Sequence, residues 1–92
     1  MAARVLIVDD AGYMRARIRE ILTSGGFDVV GEASNGLEAI DLFKQLRPDV
    51  VTMDIVMPFK NGLEATRELR AIDPQARIVM CSALGQIGRA HV

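Results

Sequence analysis

Short unbroken runs of apolar residues recur along the chain and are separated by segments in which apolar residues return every three or four positions. The runs predict four β-strands, at residues 5–8 (VLIV), Phe27–Val30, Val50–Met53 and Arg77–Ser82. Strands that are apolar throughout, rather than at alternate positions, are typical of a sheet buried on both faces. The pattern therefore predicts a parallel sheet with helices on each side.

Three helices are predicted between these strands. The first has an apolar stripe at helical spacing, formed by Met14, Ile18, Ile21 and Leu22, and Gly25-Gly26 ends it. The second covers about Gly36–Leu46, with an inward face of Ala39, Ile40, Phe43 and Leu46, and Pro48 prevents its continuation. The third covers roughly Gly62–Ile72 and ends before Asp73-Pro74. The order is β-α-β-α-β-α-β, an α/β fold.

The pentapeptide NGLEA occurs twice, at residues 35–39 and 61–65. In each copy the Asn is in position to cap a helix and the Glu lies at the third helical position, a capping-box arrangement. We interpret the repeat as two similar helix starts rather than as an internal duplication. It strengthens the prediction of where both helices begin.

Composition narrows the possibilities further. The chain has 92 residues, of which 50% are hydrophobic and 25% charged, with a net charge of −1, which predicts one folded domain and no basic surface for nucleic acid. The lone Cys81 cannot form an intramolecular disulfide, which suits a reducing compartment. No apolar run resembles a membrane span or a signal peptide. These features predict a cytoplasmic protein that interacts with neither membranes nor nucleic acid.

Carboxylates follow two of the predicted strands. Asp9 and Asp10 come directly after the first strand, and Asp54 follows the third. Ligands of parallel α/β sheets bind beyond the carboxyl ends of the strands, so these side chains converge if the first and third strands are neighbours. Three such carboxylates need a cation, and an all-oxygen set without His or Cys favours Mg²⁺ or Mn²⁺ over zinc.

The same residues suggest phosphoryl chemistry. Asp54 could attack a phosphoryl group while the cation offsets charge, and Ser82 at the end of the fourth strand could hydrogen-bond a phosphate oxygen. Taken singly, each residue has a plainer interpretation, because an Asp after a strand is usually a loop residue or a helix cap, and Ser82 is a loop hydroxyl. The joint pattern favours the site.

Three segments carry a resemblance to a known family: DDAGYMR at residues 9–15, MDIVMPFKNG at 53–62 and IVMCSALGQ at 78–86. Together they resemble the receiver domain of two-component response regulators, closest to the CheY-like chemotaxis type. The resemblance covers residues 4 to about 86 and implies a flavodoxin-like, doubly wound parallel sheet of strand order 2-1-3-4.

The resemblance also implies roles for individual residues. Asp54 would be the phospho-acceptor, and Asp10 and Asp54 would ligate Mg²⁺ directly. Asp9 would act on the metal through water, and Val56 would offer its backbone carbonyl. Ser82 would be the switch hydroxyl and Ala83 the small residue that leaves room for the phosphate.

The likeness stops before the end of the chain. Receivers continue past the fourth strand with another helix, a fifth strand and a fifth helix, whereas residues 87–92 (IGRAHV) do not resemble that continuation. We therefore expect residues 1–86 to be a truncated receiver and 87–92 a tail outside the family. The family's phosphate-binding lysine belongs to the fifth strand, and neither Lys44 nor Lys60 fits its role, so weak phosphate acceptance is expected.

A receiver of this length also leaves apolar surface open. The fourth strand becomes a free edge, and one sheet face beside the first helix is uncovered, which predicts a dimer, a higher oligomer or an assembly with exchanged elements.

Three functions follow from these features. The leading one is a receiver that takes a phosphoryl group from a histidine kinase and acts on a flagellar-motor or other output protein. The alternative is a non-signalling fragment that serves structure or self-association. An aspartate-nucleophile phosphatase is disfavoured, because it needs Asp-x-Asp, and Ala11 and Gly12 occupy the relevant positions. The chain is therefore expected to be a phosphoryl acceptor and not an enzyme acting on a second molecule.

Overall fold

A parallel β-sheet with helices on both faces forms the described part of the chain, residues 2–81 of a computed structural model. Its elements are β1 (Arg4–Val8), α1 (Gly12–Ser24), β2 (Asp28–Ala33), α2 (Gly36–Leu46), β3 (Val50–Asp54), α3 (Gly62–Ile72) and β4 (Arg77–Cys81). The strand order β2-β1-β3-β4 confirms the predicted doubly wound, flavodoxin-like arrangement. Within these 80 or so residues, no helix combines the length and apolarity of a membrane crossing.

The second strand differs from its prediction. It covers Asp28–Ala33 instead of Phe27–Val30, because Gly31, Glu32 and Ala33 pair with the last three residues of β1. Phe27 instead donates its N–H to the Leu22 carbonyl and so closes the end of α1. Pairing with β1, rather than local apolar content, sets the limits of this strand. Ser82, predicted to end the fourth strand, lies outside the described residues, as does the expected boundary at residue 86.

The main core lies on the face of the sheet that α2 and α3 cover. Alternate residues of β1 and β3 point into it and meet small and large apolar side chains of the two helices: Leu6, Val8, Val51 and Met53 from the strands, and Ala39, Phe43, Ala65 and Leu69 from the helices. All eight side chains are essentially inaccessible to solvent. Burial of this continuous cluster is the largest favourable contribution to folding.

The opposite face is covered by α1 and is less well packed. No residue of α1 is fully buried, and Ile21, predicted to lie on its inner face, is 64% exposed. A groove of about 320 Å³ runs beside the helix, and Ile21, Phe27, Val50, Thr52 and Val79 are among its lining residues. We call it the α1 groove. The predicted stripe is thus only partly buried, because among residues 2–81 α1 is the one helix on this face and it packs on β1 and β2.

Both copies of NGLEA start helices, and the capping Asn is confirmed in each, but the return bond of a capping box is not: the Glu38 carboxylate accepts from the Ser34 N–H instead of the Asn35 N–H. Asn35 and Asn61 each accept a hydrogen bond of 2.9 Å from the backbone N–H of the Glu three residues later. The glycines have a second role: a Cβ on Gly62 would overlap the Asp54 carbonyl oxygen, and one on Gly36 would overlap the Lys60 carbonyl oxygen. The repeat therefore reflects two helix starts that must approach backbone closely.

Replacing Gly62 with Ala tests this close approach. The added methyl meets backbone that cannot rotate away, so Gly62→Ala is expected to lower the free energy of unfolding by about 2 kcal/mol in urea titrations. Gly12→Ala is the matched control, since Gly12 also begins a helix but a Cβ there finds its nearest neighbour at 3.5 Å, an ordinary contact. Equal unfolding midpoints for the two variants would contradict the packing described here.

Candidate metal centre

The loops that follow β1 and β3 bring three carboxylates to one edge of the sheet. Asp9, Asp10 and Asp54 each offer an oxygen, and these oxygens all lie within 4.8 Å of one another. The strands that precede them are direct neighbours, with Val8 of β1 paired to Met53 of β3. Parallel neighbours end at the same edge, which is why residues 44 positions apart meet here.

Asp9 is held more firmly than a loop residue usually is. Its N–H donates to the Ala33 carbonyl at 3.0 Å, which extends the β1–β2 ladder by one residue. Its carboxylate Oδ1 accepts from the Ala11 N–H at 2.9 Å. Its own carbonyl accepts from Arg15 Nη1 at 2.6 Å. Asp9 is buried, whereas Asp10, one residue further, is exposed and directed by the loop that Asp9 anchors.

Asp54 ends β3 and is also fixed by its backbone. It is 8% exposed and pairs in register with Cys81 of β4. Gly62 packs directly against its carbonyl, and the Gly62 N–H donates to the Ile55 carbonyl at 2.9 Å. The loop between β3 and α3 is therefore closed at its base, and the Asp54 carboxylate is presented from a rigid position.

The electrostatics of the cluster are unfavourable without a counter-ion. Burial raises the pKa of Asp54 to about 6, and the charges of Asp9 and Asp10 add to the effect, while the Val56 N–H partly offsets it. Burial, together with the charges of Asp9 and Asp54, also raises the pKa of the Cys81 thiol, which keeps it neutral. The site thus concentrates negative charge that the described residues leave uncompensated.

These features fit a hard divalent cation. The donors are carboxylate oxygens, two of the three residues are buried, and neither His nor a thiolate belongs to the cluster among residues 2–81. Mg²⁺ is bound in proteins by one or two carboxylates and retains waters, which matches a cluster with one exposed member. The residues present therefore suit Mg²⁺ or Mn²⁺ better than zinc.

Of the other residues discussed for the site, some are placed by the structure and others lie outside the described residues. Val56 lies in the loop two residues after Asp54, with its side chain exposed and its N–H facing the Asp54 carboxylate. Ser82 and Ala83 lie outside the described residues, so their roles stay predictions. Lys60 forms an ion pair with Glu68 of α3 and so points along that helix.

The ion pairs beside the site were not predicted from the sequence. Arg15 and Arg19 of α1 both bind the carboxylate of Glu32 in β2, at 3.1 and 2.6 Å. A signal existed in the spacing, since Arg15 and Arg19 are one helical turn apart and lie on one face of α1. Their common partner could not be found without knowing which strand neighbours β1.

Comparisons with known proteins agree with this geometry. The family model described as the response regulator receiver domain matches residues 5–91. The chemotaxis protein CheY of Thermotoga maritima is 55% identical over 86 residues, which are 94% of this chain and 72% of that protein. The CheY of Bacillus subtilis is 56% identical over the same shares.

Solved structures give the same result. CheY from Borrelia burgdorferi, in a complex with CheX, BeF₃ and Mg²⁺, superposes with a TM-score of 0.87 at 38% identity, covering 90% of this chain and 63% of that one. The response regulator TrrA from Thermotoga maritima, crystallised with Mg²⁺ and BeF, superposes with a TM-score of 0.85 at 36% identity, over 90% and 70% of the two chains. This chain thus spans less than two thirds of the Borrelia chain. By sequence and by fold, the chain belongs to the response regulator receiver family.

Proposed function

We propose that this chain is a phosphoryl acceptor of a chemotaxis-type two-component system and that Asp54 receives the phosphoryl group from a histidine kinase. One observation carries the proposal: Asp54, a residue only 8% exposed at the end of a central strand, has a carboxylate oxygen within 4.8 Å of those of two other aspartates. A cluster of this kind costs stability, so its presence at a ligand-binding sheet edge supports a functional role.

The chemistry follows from the position of Asp54. A carboxylate oxygen of Asp54 attacks the phosphorus of a phosphohistidine, the new O–P bond forms as the P–N bond breaks, and the electron pair leaves with the imidazole nitrogen. Because the pKa of Asp54 is about 6, the carboxylate is largely ionised and nucleophilic at pH 7 and above. The chain is its own substrate in this reaction, rather than an enzyme that turns over a second molecule.

The proposed metal ligands are those that the resemblance implies. Asp10 and Asp54 would hold Mg²⁺ directly, Asp9 would hold it through water, and the Val56 carbonyl would complete the protein ligands. When bound, the ion would offset the charge of the carboxylates and of the incoming phosphoryl group. The oxygen-only donor set supports this assignment, and Mn²⁺ would fit the same donors.

Ser82 and Ala83 are proposed as the switch hydroxyl and the small residue beside the phosphate. The register supports both roles, because Asp54 pairs with Cys81 and these residues follow immediately along the chain. The proposed donor is a histidine kinase, and the proposed output is a flagellar-motor protein or another protein partner. Similarity to CheY proteins supports a chemotaxis partner over a DNA-binding output.

Self-association is a second candidate, carried by a different observation. β4 pairs with β3 on one side, and no strand among residues 2–81 pairs with its other side. Val79 and Met80 on this strand are 52% and 36% exposed, and Val79 also lines the α1 groove. The Thr52 hydroxyl, buried among the groove residues, finds no hydrogen-bond partner in the described chain. We propose that a second copy pairs with β4 and covers this groove.

Labelling with a small phosphoryl donor tests the acceptor. With acetyl phosphate and Mg²⁺, the wild-type chain is expected to gain a phosphoryl group detectable by intact-protein mass spectrometry, and Asp54→Asn is expected to gain none, because the attacking oxygen is lost. Asp41→Asn is the matched control, since Asp41 is exposed on α2, and it should label like the wild type. Equal labelling of the Asp54→Asn and wild-type chains would rule out the proposed acceptor.

The raised pKa of Asp54 predicts a pH dependence of stability in metal-free protein. The pKa is about 6 in the folded chain against 3.8 for a free carboxyl, so ionisation opposes folding. The unfolding free energy of the wild type should therefore fall, relative to that of Asp54→Asn, by roughly 2 kcal/mol as the pH rises from 4 to 7. Urea titrations across this range measure the difference, and parallel profiles would contradict the electrostatic description.

Adding Mg²⁺ should recover part of this lost stability. At pH 7.5, about 10 mM MgCl₂ is expected to raise the unfolding free energy of the wild type by about 1 kcal/mol and to leave Asp54→Asn almost unchanged. If millimolar Mg²⁺ stabilises neither protein, the non-signalling alternative is favoured over the receiver.

Sedimentation at micromolar concentrations tests self-association through β4. The wild-type chain is expected to form a dimer or a larger assembly, and Val79→Lys to shift it towards monomer, because a charge on an edge strand blocks pairing with another strand. Leu37→Lys is the matched control: Leu37 on α2 is 53% exposed, against 52% for Val79, but lies away from β4. A compact wild-type monomer would end this proposal.

A further inference from the structure

Arg15 occupies an unexpected place beside the acidic cluster. It lies in the first turns of α1 with 22% of its side chain exposed, and its Nη1 donates to the Asp9 carbonyl at 2.6 Å. Its Nε donates to Glu32 Oε1 at 3.1 Å. One guanidinium thus joins the β1–α1 loop, which carries the carboxylates, to the neighbouring strand β2.

The Glu32 carboxylate is itself held in place. Arg19, one turn along α1, donates from Nε to Glu32 Oε2 at 2.6 Å, so each carboxylate oxygen has its own arginine. The hydrogen bond from Arg19 and the charges of both arginines lower the pKa of Glu32, which therefore stays ionised at neutral pH. Arg15 is consequently fixed at one end by a charged partner and at the other by the loop.

The positive charge of Arg15 is unfavourable for metal binding at the neighbouring carboxylates. The positive charge of Arg15 repels any metal ion bound by Asp9, Asp10 and Asp54, and its side chain hydrogen-bonds a carbonyl of the cluster rather than a carboxylate. It therefore contributes little charge compensation through direct contact. Its contribution is to hold two acceptors in a fixed relative position, because guanidinium N–H groups donate in fixed directions and Arg can bind two acceptors at once.

The bonds around Asp9 show what that geometry controls. The Asp9 N–H is bonded to β2, its carboxylate to the Ala11 N–H, and its carbonyl to Arg15. The Asp9 carbonyl belongs to the peptide that leads into Asp10, so its direction sets where the Asp10 backbone goes. Without Arg15, this peptide is free to turn and the Asp10 carboxylate loses its direction towards Asp54.

We propose that Arg15 is a positioning residue of the metal site, which holds the Asp9–Asp10 peptide against Glu32 so that both carboxylates face Asp54. The proposal rests on the metal-binding role proposed above. If Arg15 is removed, its charge and its positioning contacts predict opposite changes in Mg²⁺ affinity. Loss of a nearby positive charge alone would strengthen Mg²⁺ binding, whereas loss of a positioning contact weakens it.

Calorimetric titration with MgCl₂ distinguishes the charge effect of Arg15 from its positioning effect. Arg15→Met is expected to raise the Mg²⁺ dissociation constant about tenfold, the range typical of residues that orient metal ligands. Arg19→Met is the matched control, because it removes the same charge and the same Glu32 partner but makes no contact with Asp9 among the described hydrogen bonds. Its dissociation constant should change less than about twofold. Unchanged or tighter binding by Arg15→Met, or equal weakening by both variants, would overturn the proposal.

Arg15→Lys covers the case in which Arg15→Met does not fold. Lysine keeps the charge but cannot bond the Asp9 carbonyl and Glu32 in the same way, so binding should still weaken by about threefold. An unchanged dissociation constant in this variant would count against positioning.

A metal-free readout separates this proposal from the receiver function. The Ala11 N–H, bonded to Asp9 Oδ1, should exchange with D₂O at least about tenfold faster in Arg15→Met than in Arg19→Met, because the loop opens more often. Failure of the wild type to bind Mg²⁺ would overturn the proposed metal site, whereas unchanged Ala11 exchange would overturn the role of Arg15 alone.

Discussion

The burial of Asp54 beside two other carboxylates is the constraint that the rest of the site has to meet. Asp9, Asp10 and Asp54 place oxygens within 4.8 Å of one another while two of the three are buried, an arrangement that raises the pKa of Asp54 to about 6. Such a cluster persists only if the backbone cannot relax. Repulsion among the carboxylates explains why these residues fit a divalent cation, since an ion with two positive charges would offset the charge of the carboxylates.

Backbone contacts prevent the two acidic loops from moving apart. Asp9 is bonded to β2 through its N–H and to α1 through its carbonyl, and Asp54 ends the strand between β1 and β4. The loop after Asp54 lies between two helix starts, with Gly36 against Lys60 and Gly62 against Asp54. No side chain at either glycine separates helix from loop, so both acidic loops rest on rigid parts of the molecule.

The sequence predicted those parts of the fold that local signals determine. Gly36–Leu46 and Gly62–Ile72 are correct because a capping Asn and an apolar period mark each helix. The limits of β2 were wrong because they depend on the register with β1. The exposure of Ile21 was missed because burial depends on what covers a face. The convergence of the aspartates followed from strand order, whereas the Arg15–Glu32 pair joins elements that only the tertiary structure brings together.

The contact between Gly62 and the Asp54 carbonyl has a mechanical consequence. Flexible side chains usually cushion a helix from its neighbours and absorb small movements through rotamer changes, but at this junction main chain rests on main chain. A displacement of the Asp54 peptide towards α3 would therefore have to move the first turn of the helix as well, because no rotatable side chain lies between them. Packing thus couples the start of α3 to the residue at which the molecule would gain charge.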